Sequence, residues 1–197
     1  MSRNIFFSAD HHFGHNNIIK YCNRPFASTE EMNEELVKRW NSVVGINDIV
    51  HYLGDFSLSK NLVEPFAARL NGEKHLVMGN HDTCHPTNKK KAEIGLEIYK
   101  RAGFKTIQLE AHMDIAGQSV LLHHMPYVEE EPKLEYKIRF HKYRPIDNGG
   151  WLLHGHVHEK WKTKDHMVNV GVDVWDFYPV SITQIEHMIS PASNNLT

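Results

Sequence analysis

The sequence predicts an α/β fold, and three observations carry the prediction. Short apolar runs alternate with amphipathic segments of helix length through the first half of the chain, as expected of parallel strands joined by crossover helices. Beyond Phe104 the runs are shorter and alternate with period two, which points to a second, more antiparallel sheet. The apolar runs end in Asp, Asn or His, and in open α/β sheets ligands bind at the carboxyl ends of strands.

In chain order, Ile5–Ala9 is the first strand and ends in Asp10-His11-His12. Strand residues two apart share a face, so Asp10 and His12 can converge while His11 points away. Phe13-Gly14-His15-Asn16-Asn17 is a loop at the same end. Ser28-Thr29-Glu30-Glu31 reads as a capping box. It opens a helix with Met32, Leu36, Trp40 and Val43 or Val44 on one face. Ile49–Leu53 is the second strand, closed by Gly54-Asp55. A helix carrying Leu62, Val63, Phe66, Ala67 and Leu70 follows and stops at Asn71-Gly72. The third strand, Leu76–Met78, delivers Gly79-Asn80-His81-Asp82. A third helix is expected over Thr87–Ala102, with Ile94, Leu96, Ile98 and Tyr99 apolar.

Phe104–Leu109 alternates and opens the second half. His112–Ala116 and Ser119–His123 form a hairpin about Gly117-Gln118, with glycine first in the turn. Val120-Leu121-Leu122 leads into His123-His124-Met125-Pro126. Trp151–Leu153 ends in His154-Gly155-His156-Val157-His158, Val168–Asp173 is a further strand, and Ser181–Ile189 closes with a short helix.

The 197 residues are 41% hydrophobic and 23% charged, near globular norms. One domain over residues 1–190 with a polar tail at 191–197 is expected. The net charge of -2 points to neither nucleic acid nor an anionic membrane. Cys22 and Cys84 offer no disulfide framework and no thiolate metal site. The N-terminus lacks signal-peptide character and no apolar stretch reaches membrane-spanning length, so a cytoplasmic location is expected. No protein partner is evident.

Sixteen histidines are present, and their spacing matters more than their number. Asp10 with His12, Asp55, Asn80 with His81, the His123-His124 pair, and His156 with His158 all follow apolar runs. This ordered set resembles the calcineurin-like metallophosphoesterase family from residue 5 to about residue 160. The opening Asp-His-x-Phe-Gly-His, together with Arg24-Pro25-Phe26, is similar to small single-domain bacterial and phage members.

The resemblance implies a four-layer sandwich, two mixed sheets face to face with helices outside. It implies two divalent metal ions, Mn first, with Fe, Zn, Ni and Co also suited to oxygen and imidazole donors. Asp10, His12 and His158 would hold one ion. Asn80, His156 and a histidine before Met125-Pro126 would hold the other, with Asp55 between them. The family's His-x-Pro pattern selects His124, and His123 serves if the strand bulges. The implied activity is hydrolysis of a phosphomonoester or phosphodiester by a hydroxide held between the ions. His81 would be the acid and Asp82 would orient its ring. The substrate is a phosphoester, with nucleotides among the candidates. A nuclease or cyclic-nucleotide phosphodiesterase is the alternative, and a non-catalytic scaffold of the same fold the reading from another class. His15, Asn16 and Arg24 are candidate substrate contacts, with Asn17 near them. The basic and aromatic segment from Lys133 to Arg144 could cover the site. Trp175 and Phe177-Tyr178 are assigned to core packing.

Overall fold

The computed structural model describes residues 3–128, 140 and 142–190. Its first sheet contains β1 (Ile5–Ser8), β2 (Ile49–Tyr52), β3 (Glu73–Val77), β4 (Thr106–Gln108) and β10 (Val180–Ser181). The spatial order is β10-β1-β2-β3-β4. β1 to β4 run parallel, and only β10 is antiparallel to its neighbour. The second sheet contains β5 (Glu110–Ile115), β6 (Gln118–His123), β7 (Leu152–His154), β8 (Thr163–Lys164) and β9 (Met167–Asn169), ordered β5-β6-β7-β9-β8. It is mixed: β6, β7 and β9 are parallel, and β5 and β8 are antiparallel edges.

Period-two alternation sorts the strand side chains into two cores. Phe6, Val50, Tyr52, Leu76 and Met78 face the helices, and Phe7, Leu53 and Val77 face the other sheet. The helical layer comprises α1 (Asn16–Tyr21), α2 (Thr29–Val43), α3 (Lys60–Ala67) and α4 (Lys90–Arg101). Met32, Leu36 and Trp40 of α2, Val63 and Ala67 of α3, and Ile98 and Tyr99 of α4 pack there. Full burial of each larger apolar side chain contributes roughly 1.5–3 kcal/mol. Phe7, Leu53 and Val77 meet Val120, Leu122, Leu153 and Val168 between the sheets. Ile185 and Ile189 of α5 (Ile182–Ile189) join this inner core. The outer face of the second sheet carries Leu121, Tyr127, Leu152, Trp161 and Met167. None of these lies on a helix.

Several local expectations change. Phe104–Leu109 contributes β4 to the first sheet rather than opening the second, because its backbone continues the parallel ladder beside β3. The hairpin turn is Ala116-Gly117, since Ile115 pairs with Gln118. Both turn residues have positive φ, 52° and 74°, the two-residue geometry that matches strand twist. α4 begins at Lys90, because Lys89 breaks it from a short 3-10 turn over Pro86–Asn88. Ile94 is on its solvent face, and Ala92 and Gly95 are buried instead. At α2 the Ser28 hydroxyl accepts from Glu31 N, but the Glu31 carboxylate reaches Ala27 N rather than Ser28 N. The complete capping box is at Ser181 and Gln184. Cys22 and Cys84 are both free and buried. Trp175 packs on the inner core and Phe177 on the helix-side core, while Tyr178 is exposed. Among the described residues no helix is long and apolar enough to cross a membrane.

Candidate metal centre

The sheets converge where β1 runs out. Ala9 bridges to Gly171 beyond the last paired residue of each strand, so loops from both sheets meet at one edge. Asp10 and His12 do not reach the site by strand alternation as expected. Both have left turned into positive φ, 61° and 52°. Asp55, His156 and His158 share this conformation, with φ of 58°, 70° and 52°. Left-handed backbone costs roughly 1–2 kcal/mol per non-glycine residue and clusters at functional sites.

Two sets of ligand-type atoms result. One joins Asp10, His12 and His158, the other Asp55, His124 and His156, and within each set the atoms lie within 4.8 Å of one another. Asp55 reaches both: its Oδ2 is 3.5 Å from His12 Nε2 and 3.4 Å from His124 Nε2. Asn80 Oδ1 lies 3.1 Å from His124 Nε2. His124 Nδ1 donates to the Leu53 carbonyl at 2.7 Å, which aims Nε2 inward. His123 has its ring folded onto the Met125 backbone and is outside both sets.

The glycines make this convergence possible. A Cβ at Gly79 would collide with the Asp55 amide nitrogen and Oδ1, and one at Gly155 with Asp10 Oδ2.

The surrounding contacts fix the ring directions. Asp10 Oδ2 accepts from His156 N at 2.8 Å, and Asp55 Oδ1 accepts from His81 N at 2.8 Å. His81 is exposed at the mouth, its ring 5.6 Å from that of His12. Asp82 does not touch the His81 ring, contrary to expectation. Its carboxylate is fully buried and accepts from Gly79 N, Asp55 N, Phe56 N and the Tyr99 hydroxyl. It therefore joins the Gly54-Asp55 loop to the Gly79 loop.

Arg24 is not placed for substrate either. Its guanidinium donates to Asp173 at 2.7 and 2.9 Å and to the carbonyls of Asp10 and His11. His15 is half-buried beside His12 and Tyr21. Asn16 is exposed and accepts from the Thr29 hydroxyl, and Asn17 is exposed. His11 stays out of the cluster, between Phe13, Trp40 and Tyr52.

Sequence reasoning missed Asp173. Its Oδ2 lies 3.0 Å from His158 Nδ1. A carboxylate on the far ring nitrogen fixes the tautomer and raises the basicity of a ligating imidazole. Asp173 ends an apolar run as Asp10 and Asp55 do, and that was the available sign. Cys22 completes a group with His158 and Asp173, and burial pushes its thiol up.

The electrostatics are those of buried carboxylates in need of cations. Burial pushes Asp10 up to about 6, against the pull of His158 and His124. Burial also opposes ionisation of Asp55, but His124, His12 and His81 outweigh it and hold it well below the usual carboxylate range. Burial would lower His124 and His158, yet neighbouring carboxylates carry them up to about 9 and about 11. Burial keeps His12 and His156 well below the usual imidazole range. Asp10 Oδ1 and both His12 ring nitrogens are buried without a hydrogen-bond partner. Oxygen and nitrogen donors left unmade beside anionic carboxylates fit divalent ions, and with no thiolate in the two sets they suit Mn, Fe, Co, Ni or Zn.

A cavity of about 530 Å³ opens beside Asn80, His81 and His156. Phe140 and Arg144 stand on its wall. Of the segment expected to cover the site, residues 133–139 and 141 lie outside the described residues.

No family model matches the chain. It is 34% identical over 197 residues to the uncharacterized protein MJ1445 of Methanocaldococcus jannaschii, covering 95% of this chain and 92% of that protein. It is 31% identical over 185 residues to the gene 66 protein of Mycobacterium phage L5, covering 87% of each. Its fold is similar to the crystal structure of AQ665, a protein of unknown function from Aquifex aeolicus. There the TM-score is 0.66 and the identity 24%, over 95% of this chain and 100% of that one.

Proposed function

This chain belongs to one family with the Methanocaldococcus jannaschii protein MJ1445 and the gene 66 protein of Mycobacterium phage L5, and from the site its fold assembles we propose that it is a dinuclear-metal-dependent phosphoesterase of the calcineurin-like type. One observation carries the reading. Two adjoining ligand sets meet at Asp55, which belongs to one and reaches His12 of the other, and their buried Asp10 Oδ1 and His12 Nε2 have no hydrogen-bond partner. Leaving a buried polar group unmade costs about 1–3 kcal/mol, so such groups are retained where something else meets them.

Asp10, His12 and His158 would hold one ion, Asn80, His124 and His156 the other, and Asp55 would serve both. Manganese is the proposed occupant. Bound there, the ions would supply Lewis acidity and a water acidic enough to ionise near pH ~7. In the net reaction a water oxygen joins phosphorus as the bond from phosphorus to the leaving oxygen breaks. His81 has its backbone held by Asp55 Oδ1 and its ring exposed at the mouth. There it can donate a ring proton to the departing oxygen. Asp82 supports this indirectly by fixing the loop on which His81 rides.

The experiment is turnover of a chromogenic phosphomonoester and a chromogenic phosphodiester, with added Mn and with chelator. Metal-stimulated hydrolysis is expected on at least one of them. His81→Ala should lower kcat by roughly 100-fold or more while metal stoichiometry is unchanged. No metal-stimulated turnover on either ester would sink the reading.

A further inference from the structure

The cavity beside the candidate centre has a wall of its own chemistry. Asn80, His81 and His156 form the end nearest the ligand sets. Met125, Pro126, Val157, Phe140 and Trp161 supply an apolar, partly aromatic side. Arg144 and Lys160 supply two cations, and no carboxylate is among the described residues that line it. Arg144 is held in the wall by donating to the carbonyls of Pro126 and Tyr127. Lys160 is exposed. Trp161 is half-buried, its ring 4.7 Å from that of His154.

We propose that this cavity is the subsite for the organic part of the substrate, and that the substrate is a nucleoside phosphate. The inference rests on the phosphoesterase reading and narrows it. A scissile phosphate at Asn80, His81 and His156 places the remainder of the molecule against the aromatic side. Aromatic walls suit a planar unsaturated ring, and the cations suit a second anionic group. A bare sugar phosphate would leave the apolar side without a partner. The volume of about 530 Å³ is in the ~300–1,000 Å³ range of small-molecule pockets. A polymer would call for an extended basic face, and the chain's net charge is -2.

The test compares AMP with ribose 5-phosphate, which share the same scissile ester and leaving hydroxyl and differ by the base. ADP against AMP tests the second anion. With Mn-loaded enzyme, kcat/KM for AMP should exceed that for ribose 5-phosphate by about tenfold or more, chiefly through KM. Trp161→Ala should bring that ratio toward one. Lys160→Glu, at an exposed position, should remove any preference for ADP over AMP. Equilibrium dialysis of AMP and ribose 5-phosphate on the Mn-loaded His81→Ala variant provides the same comparison without turnover. Equal kcat/KM and equal binding for the two ligands would overturn the inference. So would a ratio that Trp161→Ala leaves intact. If no ester is hydrolysed while AMP still binds preferentially through Trp161, the pocket assignment stands and the phosphoesterase reading falls.

Discussion

Asp173 and His158 are 15 residues apart, and the carboxylate Oδ2 of the first meets Nδ1 of the second at 3.0 Å. The same carboxylate is paired with Arg24, 149 residues away in sequence. Neighbouring positive charge, from His158 and Arg24, outweighs burial and holds Asp173 down to about 2. The Asp173 carboxylate thus holds the His158 ring by Nδ1, and the same ring stands in the ligand set with Asp10 and His12.

Replacing Asp173 tests whether this contact serves an ion. Asp173→Asn should weaken divalent-ion binding by roughly 10–100-fold, read by calorimetric titration of the apo protein. Asp173→Ala should also lower the apo melting temperature, because the buried Arg24 loses its partner. An asparagine variant with wild-type ion affinity would reduce the contact to fold support.

Asp82 carries a different expectation from that of a residue that orients an acid. Three backbone N–H groups and the Tyr99 hydroxyl end on its carboxylate. Asp82→Ala should destabilise the fold by several kcal/mol, about 1–3 for each buried donor left without an acceptor, seen as a fall in the urea midpoint of the apo protein. A variant with undiminished stability and only a lower kcat would restore the orienting role.

His51 gives a pH dependence away from the centre. Its ring stacks with Phe7 at 5.7 Å and His75 at 5.3 Å. Burial, with His75 beside it, lowers its pKa to about 4 from 6.5. The unfolded chain thus binds the proton more readily. Stability is fully present above pH ~6.5 and is lost as pH falls toward about 4. His51→Phe should lose about 2 kcal/mol less than wild type between pH 7 and pH 5. Urea unfolding in chelator at the two pH values measures it, and identical losses would remove His51 from the acid response.

Much of the centre was legible because it is built at strand ends. The apolar runs before Asp10, Asp55 and Asn80 locate β1, β2 and β3, and polar residues at those ends mark the edge where the loops converge. What failed was anything that depended on backbone direction beyond the strand. Period two placed Asp10 and His12 together for the wrong reason, since positive φ at both does the work. Arg24 read as a substrate contact and Asp82 as the residue that orients the His81 ring. Arg24 is consumed by Asp173, 149 residues away, and Asp82 in part by Phe56, 26 residues away, which no local pattern exposes. Phe104–Leu109 alternates as an edge strand of either sheet would, so only the ladder beside β3 could assign it.

The meeting of Ala9 with Gly171 has a thermodynamic consequence. Asp10, His12, Asp55 and Asn80 follow strands of the first sheet, whereas His124, His156 and His158 follow strands of the second. Under the proposed reading each ion is a clasp across the two halves of the sandwich. The clasp is absent from any state in which the sheets have parted, so each tenfold rise in free ion above its dissociation constant adds ~1.4 kcal/mol against separation. The catalytic cofactor would then also act as the mortar between the sheets, and ion supply would govern the lifetime of the folded protein as well as its turnover.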